Sequence, residues 1–139
     1  MAFRAPVSLD ELNRLSRGTL IEHLGIVFTG AGEDWLQATM PVDERTRQPY
    51  GLLHGGASVV LAETLGSSAG NLCVDTASQV GVGLEINANH LRAARTGVVT
   101  GTARALHVGR TTQVWEIRIE NEAGKPVCIS RLTLAVVPA

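Results

Sequence analysis

Apolar and polar residues change their rhythm three times along the chain. From Ser8 to Arg17, leucines recur at positions 9, 12 and 15, a spacing that turns one face of a helix toward a core. Ser8 followed by Glu11 fits a capping box, and Gly18 stops the helix. Thr19–His23 has room for one more turn. The period then shortens to two. Gly25–Thr29 reads as a strand, Gly30-Ala31-Gly32 as a turn and Asp34–Val42 as the returning strand, where Leu36, Ala38, Met40 and Val42 alternate with Gln37 and Thr39. Pro41 marks an edge or the end of that strand.

Asp43–Gln48 is the most polar stretch and reads as a surface loop, after which Pro49 and Gly51 bend the chain. From about Gly55 to Val74 the residues are small or apolar nearly all round, the pattern of a buried helix. Asp75–Ser78 connects it to a region of period two. Val80–Leu91 places Val80, Val82, Leu84 and Ile86 on one face. Thr96-Gly97 turns the chain into Val98–Val108, and Gly109-Arg110 makes a tight connection. Thr111–Glu120 sets Val114, Glu116 and Arg118 against Trp115, Ile117 and Ile119. Asn121–Lys125 is a hairpin turn with Gly124 placed for a positive φ, and Pro126–Val137 is the last strand. No repeat, low-complexity run or linker interrupts this order of helix, two strands, long helix and four strands. A helix apolar on all sides has to be surrounded. The expected architecture is α+β, an antiparallel sheet curled around one long central helix.

The 139 residues suit a single domain spanning 1–139, with a core that needs no metal or disulfide staple. A net charge of −1 argues against a nucleic-acid footprint and against a polybasic membrane surface. Cys73 and Cys128 lie far apart in apolar surroundings, without CxxC or zinc spacing, and read as free thiols in a reducing compartment. The N-terminal segment has no apolar signal-peptide core. Glu63 and five glycines (Gly51, Gly55, Gly56, Gly66 and Gly70) interrupt the central apolar run, which fits a core helix better than a membrane span. The expected location is cytoplasmic. No His, Asp or Glu cluster has metal-ligand spacing, so no metal is expected.

The candidate chemistry lies in Gln48–Val74, where Glu63 is the single formal charge. An unpaired ion taken out of water costs several kcal/mol, so this carboxylate needs a purpose. The helix is entered through His54-Gly55-Gly56, where backbone N–H groups without partners meet the positive end of the helix dipole. Alone, this triplet is equally a tight turn, and Glu63 alone could be a structural carboxylate capped by Ser67. Together they suggest an oxyanion hole and an acid for acyl transfer. Glu63 lies eight residues beyond Gly55, about 12 Å along a helix at 1.5 Å per residue. Both cannot reach one carbonyl from one chain. Two antiparallel copies of the helix could, and the stripe Gly56, Val59, Glu63, Gly66, Ser67 and Gly70 is small enough to admit another backbone. A two-fold homodimer with composite sites is the expectation.

Gln48-Pro-Tyr-Gly-Leu-Leu-His-Gly-Gly-Ala-Ser followed by Leu-Ala-Glu63-Thr resembles the hotdog-fold acyl-CoA thioesterases. The likeness is greatest to the group of enterobactin proofreading thioesterases and 1,4-dihydroxy-2-naphthoyl-CoA thioesterases. It extends over LDELN, ATMPVDERTRQP, GLEINANHLR, LHVGR and RLTLAVV. The resemblance implies that the Gly55 N–H polarises a thioester carbonyl, with His54 and Gln48 shaping the site. It implies that Glu63 of a partner subunit acts as nucleophile or general base, oriented by Ser67. It further implies an acyl-CoA or acyl-carrier-protein substrate, an aromatic acyl group, CoA as part of the substrate and no separate cofactor, and a dimer of dimers, a homotetramer. Its CoA channel maps onto Gly83, His90, Leu91, Arg92 and Ala93, and onto His107, Val108, Gly109, Arg110, Thr111 and Thr112. These are strand-end and turn segments whose His, Arg, Thr and bare backbone suit phosphate, although Arg92, Arg95, Arg110 and Arg131 are equally readable as solvated charge. Trp35 and Trp115 read as packing residues, and Glu85 and Glu116 as outward strand positions. Two other classes stay open. A hotdog hydratase or dehydratase would want a catalytic His beside the helix acid, and a non-catalytic acyl-CoA-binding module would not need Glu63.

Overall fold

A computed structural model describes residues 2–139. The elements are α1 (Leu9–Leu15), α2 (Leu20–His23), β1 (Val27–Ala31), β2 (Trp35–Pro41), α3 (Gly55–Asn71), β3 (Gln79–His90), β4 (Val98–Val108), β5 (Thr112–Glu120) and β6 (Pro126–Pro138). The strands form one antiparallel sheet in the order β1-β2-β4-β5-β6-β3, and α3 packs against β2 to β6. Alternation decides which strand residues meet the helix. Leu36, Ala38 and Met40 of β2, Trp115, Ile117 and Ile119 of β5, and Leu132 and Leu134 of β6 join Leu61 and Leu65 of α3 in the buried core.

Two glycines set how closely α3 lies on the sheet. A Cβ on Gly66 would strike Leu132, and one on Gly70 would strike Leu134 and Gln113. These residues were expected in a stripe facing another copy of the helix. They face the chain's own β5 and β6 instead. Gln113 is fully buried and satisfied, donating to the Gly70 carbonyl at 3.2 Å and accepting from Trp115 Nε1 at 2.9 Å. Trp115 stacks on Phe3, with ring centroids 6.1 Å apart, so the N-terminal segment closes one side of the core.

Local departures from the sequence pattern have physical causes. Gly25, at φ +75°, ends α2 and delays β1 to Val27, while Gly30 and Ala31 stay in the strand across a bulge after Phe28. Ser8 caps α1 by accepting from the Glu11 N–H, but the Glu11 carboxylate pairs with Arg14 and leaves the capping box half made. Leu15 faces solvent rather than the core. α3 stops at Asn71, three residues before Val74. The alternation expected in β3 fails because Leu84 is the extra residue of a bulge between Gly83 and Glu85, leaving Val82 and Leu84 exposed while Ile86 turns inward. The polar Asp43–Gln48 loop is braced by the buried Thr46, whose hydroxyl donates to the Pro41 carbonyl at 2.8 Å. No helix among the described residues is long and apolar enough to cross a membrane.

Candidate active site

His54 organises the first turn of α3. Its Nδ1 accepts from the Gly56 N–H at 2.7 Å, and its carbonyl accepts from Ala57 at 3.0 Å and Ser58 at 3.2 Å. An accepting Nδ1 places the imidazole proton on Nε2. Of the turn's orphan donors, the Gly55 N–H alone is left without a protein acceptor among the described residues. The donor expected within His54-Gly55-Gly56 is the Gly55 N–H; the cap occupies the Gly56 N–H. Gly55 also sits against β3, since a Cβ there would stand 3.0 Å from His90 Nε2. Gln48, Leu53, Gly55, His90, Leu91 and Arg92 line a cleft of about 360 Å³ at this mouth. The Gln48 Oε1 accepts from the Tyr50 N–H, which holds the residue at the rim.

Two turns further along α3 lies the acid. Glu63 Oε2 is buried without a hydrogen-bond partner, and burial raises the carboxyl pKa above its ordinary 4.5. Its Oε1 lies 2.7 Å from where a Cβ on Gly83 would stand. Ser67, one turn on, makes no hydrogen bond to Glu63 among the described residues; its carbonyl accepts from Asn71. A second hollow of about 670 Å³ opens beside Ser67, between α1 and the C-terminal half of α3, walled by Leu12, Ile21, Phe28, Ser67, Ser68 and Leu72. Glu63 lines neither hollow. A free backbone donor and an unpartnered carboxylate thus stand on one helix, apart, each against β3.

Residues 50–128 match the family model described as thioesterase superfamily. The chain belongs to that family. It is 53% identical to the 1,4-dihydroxy-2-naphthoyl-CoA hydrolase of Escherichia coli, across 99% of this chain and 100% of that one. It is also 53% identical to the proofreading thioesterase EntH of Cronobacter sakazakii, across 99% of both. A mutant thioesterase from Pseudomonas aeruginosa superposes with a TM-score of 0.98 at 55% identity, each chain covered completely (100%). A Haemophilus influenzae thioesterase does so at 0.95 and 51%, covering 99% of this chain and 96% of the other. The protein is a thioester hydrolase with the hotdog fold, the family and fold expected from the Gln48–Thr64 motif.

In this thioesterase the residues expected to hold CoA fall into two groups. His90 is paired with Cys128 of β6 and Gly83 with Leu134, six residues apart and so about 20 Å along the strand. Thr112 is paired with Ala135 on the other side of β6. His90, Leu91, Arg92 and Ala93 therefore lie at the mouth end of the sheet. Gly83 and the exposed hairpin His107–Thr112 lie at the acid end, and one chain does not bring the groups together. Arg92 is partly engaged already, donating to the Pro126 carbonyl at 3.0 Å. Trp35, under the Arg104 guanidinium, and the buried Trp115 are packing residues. Sequence reasoning passed over Asn71 and Gln113. Each was visible as an uncharged polar side chain in an apolar run, but the partners that explain them are set by the fold.

Proposed function

We propose that this thioesterase hydrolyses acyl-CoA thioesters, with aromatic acyl groups preferred, at sites shared between two copies of the chain. The observation that carries the reading is the buried, unpartnered Glu63 Oε2. A carboxylate oxygen shielded from solvent and unbonded keeps its lone pairs for a reacting atom. Its complement is the free Gly55 N–H, about 12 Å away on the same helix at 1.5 Å per residue, so a second copy is needed to bring the two together. In the proposed reaction the thioester oxygen lies on the Gly55 N–H of one copy and Glu63 of the other acts on the carbonyl carbon. As a base, Glu63 takes a proton from water as the hydroxide adds; the oxyanion collapses, the C–S bond breaks and the thiolate leaves with that proton. As a nucleophile, Glu63 adds to the carbonyl carbon, and the oxyanion collapses with cleavage of the C–S bond and departure of the thiolate. Water then opens the mixed anhydride to the free acid and the Glu63 carboxylate, its released proton going to the thiolate. Single turnover in ¹⁸O-water separates the two, because only the anhydride route can carry label into the Glu63 carboxylate. In this reading Ser67 orients the water or the acid, and the hollow beside it takes the acyl group. His54 and Gln48 shape the mouth.

The name of the Escherichia coli relative, a naphthoyl-CoA hydrolase, supports an aromatic acyl-CoA, and the exposed segments at 90–93 and 107–112 offer donors for CoA phosphates; an acyl-carrier-protein thioester would use the same chemistry. CoA enters as substrate, and the reaction as written needs neither metal nor separate cofactor. Two unpaired thiols, Cys73 pushed up to about 11 by burial and Cys128 buried and likewise raised, suit the reducing cytoplasm. The test is a panel of aromatic and aliphatic acyl-CoAs, measuring thiol release by wild type and Glu63→Ala. Aromatic turnover that disappears in the variant is expected; equal turnover in both would sink the role of Glu63. Mixing Glu63→Ala chains with Gly55→Val chains should restore part of the activity, and confirmed mixed dimers without rescue would refute sharing.

A further inference from the structure

β3 runs back along α3 and meets it at three places. His90 stands at Gly55, Gly83 at Glu63 and Gly81 at Asn71. The first two are packing contacts, and the third is polar. The Gly81 N–H donates to Asn71 Oδ1 at 2.9 Å, and the Gly81 carbonyl accepts from Asn71 Nδ2 at 3.2 Å. Nδ2 also donates to the Ser67 carbonyl at 2.9 Å, which fixes the amide on its own helix. Among the described residues no other hydrogen bond joins α3 to β3. Gly81 can accept this tie because its pair in β6, Val136, points its own N–H the other way, to the Thr111 carbonyl at 2.9 Å. The polar backbone of Gly81 therefore faces away from β6.

The acid has no such tie. Glu63 Oε2 is without a hydrogen-bond partner, and Oε1 rests against Gly83. Its position is therefore set by how closely β3 lies on α3. Gly83 is two residues from Gly81, on the same face of the strand and about 7 Å along it. The bulge begins only after Gly83, so a bond that fixes Gly81 also fixes Gly83. Resting on the reading of Glu63 as the reacting acid, we propose that Asn71 is a positioning residue for hydrolysis. Its amide pins Gly81 to the end of α3 and so holds Gly83 where it confines the Glu63 carboxylate. Asn71 also lines the hollow beside Ser67. Both protons of its Nδ2 are already engaged by the Ser67 and Gly81 carbonyls, so the amide offers no donor to a bound acyl group.

Two variants separate bonding from bulk. Asn71→Leu keeps the size of the side chain and removes its bonds, and Asn71→Ala removes both. In protein shown to be folded by chemical denaturation, each should lose roughly tenfold in kcat with KM changed less than about twofold, a part of the 10²-fold cost of an ångström's misplacement. The loss should be the same for every acyl-CoA accepted. A third variant, Gly83→Ala, presses a methyl group on the same carboxylate. Because both changes act on one gap, their effects should not multiply. Asn71→Leu with Gly83→Ala should be about as active as Gly83→Ala alone, since a released strand gives way to the methyl. Wild-type kcat in Asn71→Leu overturns the proposal, whatever Asn71→Ala does. So does a loss confined to KM or differing between acyl groups, which would make Asn71 a wall of the hollow, and so do losses that multiply. Glu63→Ala, measured alongside, keeps the two readings apart. Undiminished turnover in Glu63→Ala overturns the role of the acid and this inference with it. An inactive Glu63→Ala beside Asn71 variants of wild-type kcat overturns this inference alone.

Discussion

The Glu63 carboxylate rests on Gly83 of β3, with Oε1 2.7 Å from the position of a missing Cβ. A methyl group there meets the far end of a flexible side chain, not backbone. Gly83→Ala is therefore expected to fold with nearly unchanged stability and to displace the carboxylate. Misplacing a reacting group by an ångström costs about 10²-fold in rate. Steady-state kinetics beside a urea melt should show a large loss in kcat and a small shift in midpoint.

Burial raises the Glu63 pKa above 4.5, so the folded chain holds that proton more tightly than the unfolded chain. The ionised side chain then lowers stability, an effect absent below 4.5 and complete above the raised folded value. Glu63→Gln should melt higher than wild type at neutral pH, and the two curves should converge in acid. The same variant should lose roughly 10³-fold in turnover, the scale of a missing general base. In wild type, kcat/KM should fall on the acid side at a pH above 4.5.

The hydrogen bond from the Gly56 N–H to His54 Nδ1 makes His54 the cap of α3. His54→Ala should cost about 1 kcal/mol, the usual value of a lost N-cap. His54→Asn should restore most of that stability, because Asn caps well. Chemical denaturation of the three proteins measures the difference, and thiol release shows whether the ring has a part beyond capping.

Gln113 joins the Gly70 carbonyl to the Trp115 indole in a fully buried site. Gln113→Leu would orphan the Trp115 indole N–H, at about 1–3 kcal/mol, while the Gly70 carbonyl keeps the Cys73 N–H at 3.1 Å. The expected result is a fall in stability of about 1–3 kcal/mol by that reckoning, read as a lower denaturation midpoint together with a changed Trp115 emission.

Strands were legible wherever one face is buried and the other wet. β2, β4 and β5 stand within a residue or so of their alternation because Leu36–Met40 and Trp115–Ile119 have a single core face. β3 defeated that reading because one extra residue, Leu84, changes which face follows. The acid was legible as the lone charge of an apolar helix. Gly55 as donor came from the family resemblance; that the Gly56 N–H is taken up by the cap was not legible, since it depends on where the His54 ring turns. Gly66 and Gly70 announced a close approach without saying to what; small residues record that something is near, and the sheet rather than a second helix took the space. Asn71 could not be understood before Gly81 was known to lie beside it.

The strand order carries a consequence for how the chain is made. β3 is complete at His90, but its one strand neighbour among the described residues, β6, begins at Pro126. As the chain leaves the ribosome, β3 waits with both edges open through the synthesis of β4 and β5. Pairings this distant in sequence form slowly, and open edges invite the wrong neighbour. Asn71 and Gly81, ten residues apart, can meet long before β6 arrives, so the bonds that tie β3 to the end of α3 would first guard a nascent strand.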